Sequence, residues 1–223
     1  MNLAPHPPLP PDLEELRQAT DRFRTGALGE AQYRALRVPM GVYEQRVSGT
    51  YMLRARVPGG ILRPAALCRL AEVAAEHGVG ILHVTTRQDV QVQGVPVEGI
   101  VPALAALREA GVTTRGGGGN TVRNVTCCTH AGVCAHERFD VSPWTQAISE
   151  WLLADPLSFT LPRKFKLSFA GCDRDCGSGN AELRLERFYE LVQVENGHLF
   201  NFFNEIFELC RHFHRLIFLL GFF

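Results

Sequence analysis

Residues 51–111 read YMLRARVPGGILRPAALCRLAEVAAEHGVGILHVTTRQDVQVQGVPVEGIVPALAALREAG. In 51–57, Leu53, Ala55 and Val57 alternate with Arg54 and Arg56, the period of a strand with one apolar face. Pro58-Gly59-Gly60 breaks it. Leu67, Leu70, Ala71 and Ala74 then recur at helical spacing over 64–77, and Gly78 supplies a stop. Strand-like runs follow at 81–86 and 89–93, then an Ala/Leu-rich helix at about 99–110 ending at Gly111. The order strand, helix, strand, strand, helix predicts an open sheet with helices on one face, an α+β layer.

On the N-terminal side, 1–11 form a Pro-rich arm, and Asp12 could cap a short helix carrying Leu13, Leu16 and Phe23. Regular structure starts near Val42. On the C-terminal side, Gly116 to Gly119 read as a flexible connection, since the flanks do not give a phosphate-binding strand–loop–helix. A second region then predicts a strand at 121–126, a cysteine loop at 127–136 and a helix opening at Ser142-Pro143. A strand at 161–169 and a second cysteine turn at 172–176 complete it. After about Asn180 the texture changes: nine of the 14 Phe lie there, and 198–220 carry an amphipathic helical pattern.

The 23 basic and 23 acidic residues cancel, so bulk charge offers nothing to nucleic acid or an anionic membrane. No apolar run is long enough to span a bilayer, and MNLAPHPPLPP lacks the basic start and apolar stretch of an export signal. A cytoplasmic protein is expected. Its seven cysteines then point to metal or catalysis rather than disulfides.

Only two of the 23 basic residues are lysines, Lys164 and Lys166, two positions apart in LPRKFKLSF. On a strand both leave the face opposite Phe165, Leu167 and Phe169, about 7 Å apart. Two ammonium groups held together repel unless an anion lies between them. In 85–93, read as one strand, Thr85, Arg87, Asp89, Gln91 and Gln93 share a face around one arginine, and Arg123 opens the second region. Arg87, Arg123, Lys164 and Lys166 together predict a pocket for a polyanion or small oxyanion. Cys128 and Cys134 are separated by five residues and Cys172 and Cys176 by three. Four thiolates match the ligand count of a 4Fe–4S cluster; zinc, helped by His130 or His136, is the competing metal.

Together GVYEQR…YMLRARVPGG, HVTTRQDVQVQG, VRNVTCCTHAGVC and LPRKFKLSFAGCDRDC resemble, over about 40–180, the siroheme-dependent nitrite/sulfite reductase family. The resemblance implies a ferredoxin-like half-domain at 41–113 and a partial, mixed α/β siroheme and 4Fe–4S domain at 118–180. Before them lie the arm and short helix of 1–40, after them a Phe-rich helical tail at 181–223. It implies that Arg87, Arg123, Lys164 and Lys166 bind siroheme carboxylates and the substrate anion. Cys128, Cys134, Cys172 and Cys176 would hold the cluster, with Cys176 bridging it to the siroheme iron. Sulfite or nitrite would be the substrate, and ferredoxin or a flavoprotein the electron donor. Family members usually contain two related halves where this chain holds one, so a second copy or another subunit could replace the missing half. Thr129 stands where the family has Pro, and the extra Cys127 offers a second register, ranked behind Cys128. A siroheme-free electron-transfer module and a truncated, non-catalytic fragment are the alternative readings.

Overall fold

The computed structural model describes residues 12–159, 165–172 and 183–185. The chain divides into two compact units, Met1–Gly119 and Asn120–Phe223. The first begins with two helices, α1 (Asp12–Arg24) and α2 (Glu30–Arg37), where one short helix was expected. They are followed by β1 (Val42–Glu44), β2 (Thr50–Ala55), α3 (Pro64–His77), β3 (Leu82–Val84), β4 (Val90–Pro96) and α4 (Ile100–Glu109). The strands form an antiparallel sheet in the order β1-β2-β4-β3.

Alternation along β2 buries Tyr51, Leu53 and Ala55, as the sequence period demands. These residues share one core with Val92 and Val95 of β4, Leu70 and Val73 of α3, and Ile100 and Leu107 of α4. The N-terminal helices join the same core through Leu16, Ala19 and Tyr33. They are fastened to β1 by Arg37, which is only 2 % exposed. Its guanidinium pairs with Glu30 at 2.6 Å and Glu44 at 3.5 Å, donates to the Val42 carbonyl, and lies over the Tyr33 and Tyr51 rings. A buried arginine is tolerable only with such partners.

Two local expectations change. The segment 85–93 is not one strand: Thr85–Asp89 is a tight turn joining β3 to β4, with Gln88 in the left-handed region at φ 59°. The Thr85 hydroxyl accepts hydrogen bonds from the N–H groups of Arg87 and Asp89, which competes with the strand ladder and closes the turn. The glycine run is packed rather than flexible. The Gly116 N–H donates to Pro39, and the Gly116 and Gly117 carbonyls accept from Arg56 and Arg54. A Cβ on Gly118 would overlap the Tyr43 hydroxyl.

The second unit contains β5 (Thr126–Cys127), α5 (Ser142–Ala154), β6 (Leu167–Phe169) and β7 (Leu183–Leu185) in a parallel sheet of order β5-β6-β7. β5, α5 and β6 make a strand–helix–strand crossover, the connection a parallel pair requires. The expected strand at 121–126 is regular only at its end. Even so, the segment runs beside 165–169, with Arg123 N–H bonded to Phe165 and Cys128 N–H to Phe169. α5 starts where Ser142-Pro143 places it, but the Asp140 carboxylate accepts the Ser142 N–H. Val122, Val125, Ile148, Leu152, Phe165, Leu167 and Phe169 form the core. Ser168, on the opposite face of β6, is also buried, as befits a strand with a neighbour on each side. β7 lies in what the sequence marks as tail; the helix expected at 198–220 falls outside the described residues.

Candidate functional site

In the second unit, Cys128 and Cys172 follow the carboxyl ends of adjacent parallel strands, β5 and β6. Both are buried, Cys172 to 2 % exposure. Between Cys128 and Phe139 the chain runs through tight turns, with Ala131 N–H bonded to Cys128, Val133 to His130 and Glu137 to the Cys134 carbonyl. The Arg138 N–H then donates to Gly171 at 2.8 Å, tying the Cys134 loop to the residue before Cys172. Gly171 is required by this approach, since a Cβ there would collide with the Phe139 carbonyl and meet the Glu137 side chain at 3.0 Å.

Neighbouring cysteines 127 and 128 have different environments. Cys127 lies in the apolar core, and burial pushes its thiol up to about 11, so it stays protonated at ordinary pH. Its Sγ donates toward the Cys128 carbonyl at 3.5 Å. The Cys128 sulfur instead accepts the His130 N–H at 3.4 Å. Alternation along a strand separates the two side chains.

Arg123 and half-buried Lys166 lie upstream on the same pair of segments. From Phe165 to Phe169 the strand advances about 13 Å, so cations occupy one end of the strand pair and cysteines the other. Lys164 and Cys176 lie outside the described residues. Among the described residues, no three His, Cys, Asp or Glu side chains are grouped to hold a single metal ion. A 4Fe–4S cluster takes one thiolate per iron, so its donors need not meet on one ion, and the soft thiols at these strand ends suit it.

In the first unit, Arg87 is carried by the Thr85–Asp89 turn rather than by a strand face. Sequence reasoning missed its surroundings. Arg56 is 3 % exposed and Arg54 half-buried, the latter 5.0 Å over the Tyr43 ring. The β2–β4 register, with Ala55 opposite Val90, brings Asp89 to the level of Arg56. Burial pushes the Asp89 carboxyl above its ordinary range, although Arg56, Arg54, the Val57 N–H and Arg87 all pull it down. The signal for this cluster was the Arg-x-Arg of the strand at 51–57, set before Pro-Gly-Gly and read only as strand alternation.

Comparison with known proteins comes to the same two units. The model for the nitrite/sulfite reductase ferredoxin-like half domain matches residues 43–110, and that for the nitrite and sulphite reductase 4Fe-4S domain matches 118–182. The assimilatory ferredoxin-dependent nitrite reductase of Haloferax mediterranei is 34% identical over 148 residues, which are 61% of this chain and 25% of that protein. The sulfite reductase (NADPH) hemoprotein beta-component of Myxococcus xanthus is 36% identical over 104 residues, 47% of this chain and 18% of that one. The solved structure of the Mycobacterium tuberculosis NirA protein matches with a TM-score of 0.61 and 24% identity, covering 74% of this chain and 36% of that one; it speaks for the fold. The chain thus spans about a quarter of the length of the nitrite reductase it matches.

Proposed function

We infer the function from one premise: the chain belongs to the nitrite/sulfite reductase family. It supplies one half of a centre at which nitrite or sulfite is reduced on siroheme coupled to a 4Fe–4S cluster. The observation that carries this reading is the strand pair of the second unit, with cysteines beyond its carboxyl ends and cations upstream.

Cys128, Cys134, Cys172 and Cys176 would hold the cluster, and Cys176 would also serve the siroheme. When bound, the two groups store and pass the electrons the reduction consumes. The chain's own side chains handle charge. Arg87, Arg123, Lys164 and Lys166 draw in the anion and the cofactor's carboxylates, and guanidinium suits the planar carboxylate. Lys166 and Lys164 serve nearer the leaving oxygen, because an ammonium can donate a proton as well as charge. The domains run over 41–113 and 118–180, with 1–40 and 181–223 flanking them. Electrons come from ferredoxin or a flavoprotein. The other wall of the pocket comes from a second half, whether more polypeptide, a second copy or another subunit.

A reducing compartment, the cytoplasm, suits this cysteine content, since no disulfide joins the described cysteines. Among the described residues no helix is long and apolar enough to cross a membrane.

The test is an absorption spectrum of the chain made without oxygen and with siroheme supplied. Bands of both a reduced tetrapyrrole and an iron–sulfur cluster support the reading. Cluster absorption alone supports a siroheme-free electron-transfer module, and neither leaves a non-catalytic fragment.

A further inference from the structure

Asp89 closes the turn that carries Arg87. Its N–H donates to the Thr85 hydroxyl at 3.0 Å, and its carbonyl accepts the Thr85 N–H at 2.9 Å. The side chain points inward and is 6 % exposed. The Val57 N–H donates to its carboxylate, while Oδ1 is buried without a hydrogen-bond partner. The β2–β4 register, with Arg54 opposite Gln91 and Ala55 opposite Val90, brings Asp89 to the level of Arg56. The guanidiniums of Arg56, Arg54 and Arg87 all act on the Asp89 carboxyl from beyond direct ion-pair contact. Arg54 and Arg56 are anchored through Nη1 to the Gly117 and Gly116 carbonyls, so both heads are held in place. Two anchored guanidiniums and a third on the adjoining turn repel one another, and a carboxylate near all three offsets that repulsion.

We propose that Asp89 is a positioning residue of the anion site. Its carboxylate stands among Arg54, Arg56 and Arg87 as an internal counter-ion, holding them apart and in place until an external anion binds, and thereby setting how tightly they take one. The proposal deepens the function inferred above and rests on it for the role of Arg87. A purely structural Asp89 would only cap the Val57 N–H, which an asparagine oxygen would do equally well.

The two roles differ in their dependence on pH. Burial pushes the Asp89 carboxyl upward from its ordinary range despite the guanidiniums of Arg54 and Arg56 from the β2 side and Arg87 from its own turn. A guanidinium carries its charge across the whole acid-to-neutral pH range. Acidification therefore neutralises the internal anion and leaves the cationic cluster intact, so an external anion should bind more tightly as pH falls.

The probe is inorganic sulfate, whose charge stays constant over the range used. It is titrated calorimetrically into the full cofactor-free chain at pH 7 and pH 4.5, with ionic strength held by chloride. At pH 7, Asp89→Asn should bind sulfate about tenfold more tightly than the unaltered chain, because one competing charge is gone. Its affinity should also lose the pH dependence, which Asp89→Glu should retain. Equal affinity and equal pH profiles in Asp89→Asn and the unaltered chain would overturn the proposal. If Asp89→Asn fails to fold, a sulfate affinity of the unaltered chain that does not rise toward pH 4.5 overturns it as well. Arg87→Gln separates the two readings. Weaker sulfate binding in Arg87→Gln with no change in Asp89→Asn retains the role of Arg87 and ends the proposal. Tighter binding in Asp89→Asn with no change in Arg87→Gln keeps the counter-ion, acting on Arg54 and Arg56, and removes Arg87 from the anion site. Absence of sulfate binding in every protein overturns both.

Discussion

Two adjacent thiols show how strongly environment divides identical residues. Cys127 is held in the core and its pKa is pushed up to about 11, whereas the Cys128 sulfur accepts a backbone N–H. Cys128→Ala should therefore abolish cluster iron and acid-labile sulfide, and Cys127→Ala should leave both in place at some cost in stability; the reverse pattern would assign the ligand to Cys127. The Cys127 thiol also predicts a pH effect. Its folded pKa lies above the unfolded value near 9, so stability is unaffected below that value. It falls as pH rises from about 9 to 11, because only the unfolded chain ionises there, by at most about 3 kcal/mol. Denaturant melts of the chain and of Cys127→Ala should converge at the alkaline end of that window. Parallel curves would mean the thiol already ionises in the folded state.

Between elements, fit is tightest where the glycine run meets β1. Gly118 lies against the Tyr43 hydroxyl, with the Val38 carbonyl 2.7 Å from where a Cβ would stand. Its backbone needs no left-handed conformation, so the requirement is purely steric. Gly118→Ala should cost about 2–4 kcal/mol in thermal or denaturant unfolding, the range of a substitution that forces backbone apart. Shortening the neighbour in Tyr43→Ala should restore part of it. An unchanged midpoint in Gly118→Ala would show that the loop is as loose as its composition suggests. α2 depends on a polar contact instead. Arg37→Met keeps the apolar stem over Tyr33 and Tyr51 but loses Glu30, Glu44 and the Val42 carbonyl. A loss of about 1–3 kcal/mol is expected, read by chemical denaturation, since both glutamates are half-exposed and regain water.

At the scale of the whole molecule, the cysteines proposed to hold a cluster and the four-stranded sheet belong to different compact units. A bound group stabilises the unit that holds it by mass action. Removing the cluster with chelator and oxidant should therefore speed amide hydrogen exchange at 126–138 and 167–172, while the core amides of β2, β4 and α4 keep their protection. Equal loss in both units would place ligands in the first unit too, and no loss in either would remove the cluster from these cysteines.

Period and punctuation by themselves determined the first unit's plan, because strand alternation at 51–57 and helical spacing at 64–77 and 99–110 are imposed by which face must leave water. The same local rules placed α5, and cysteine spacing placed the thiol-bearing loops. Tertiary structure alone decided the rest, for reasons of competition and contact. A threonine hydroxyl turned 85–89 from strand into turn, which moved Arg87 to a tip and Asp89 inward. Burial distinguished Cys127 from Cys128, though both are the same letter. Tyr43 and two arginines, distant in sequence, packed a glycine run whose composition signals freedom. Charge balance among Arg54, Arg56, Arg87 and Asp89 could be written only once the fold had brought two separate stretches together, since Coulomb energy depends on distance through space and not along the chain.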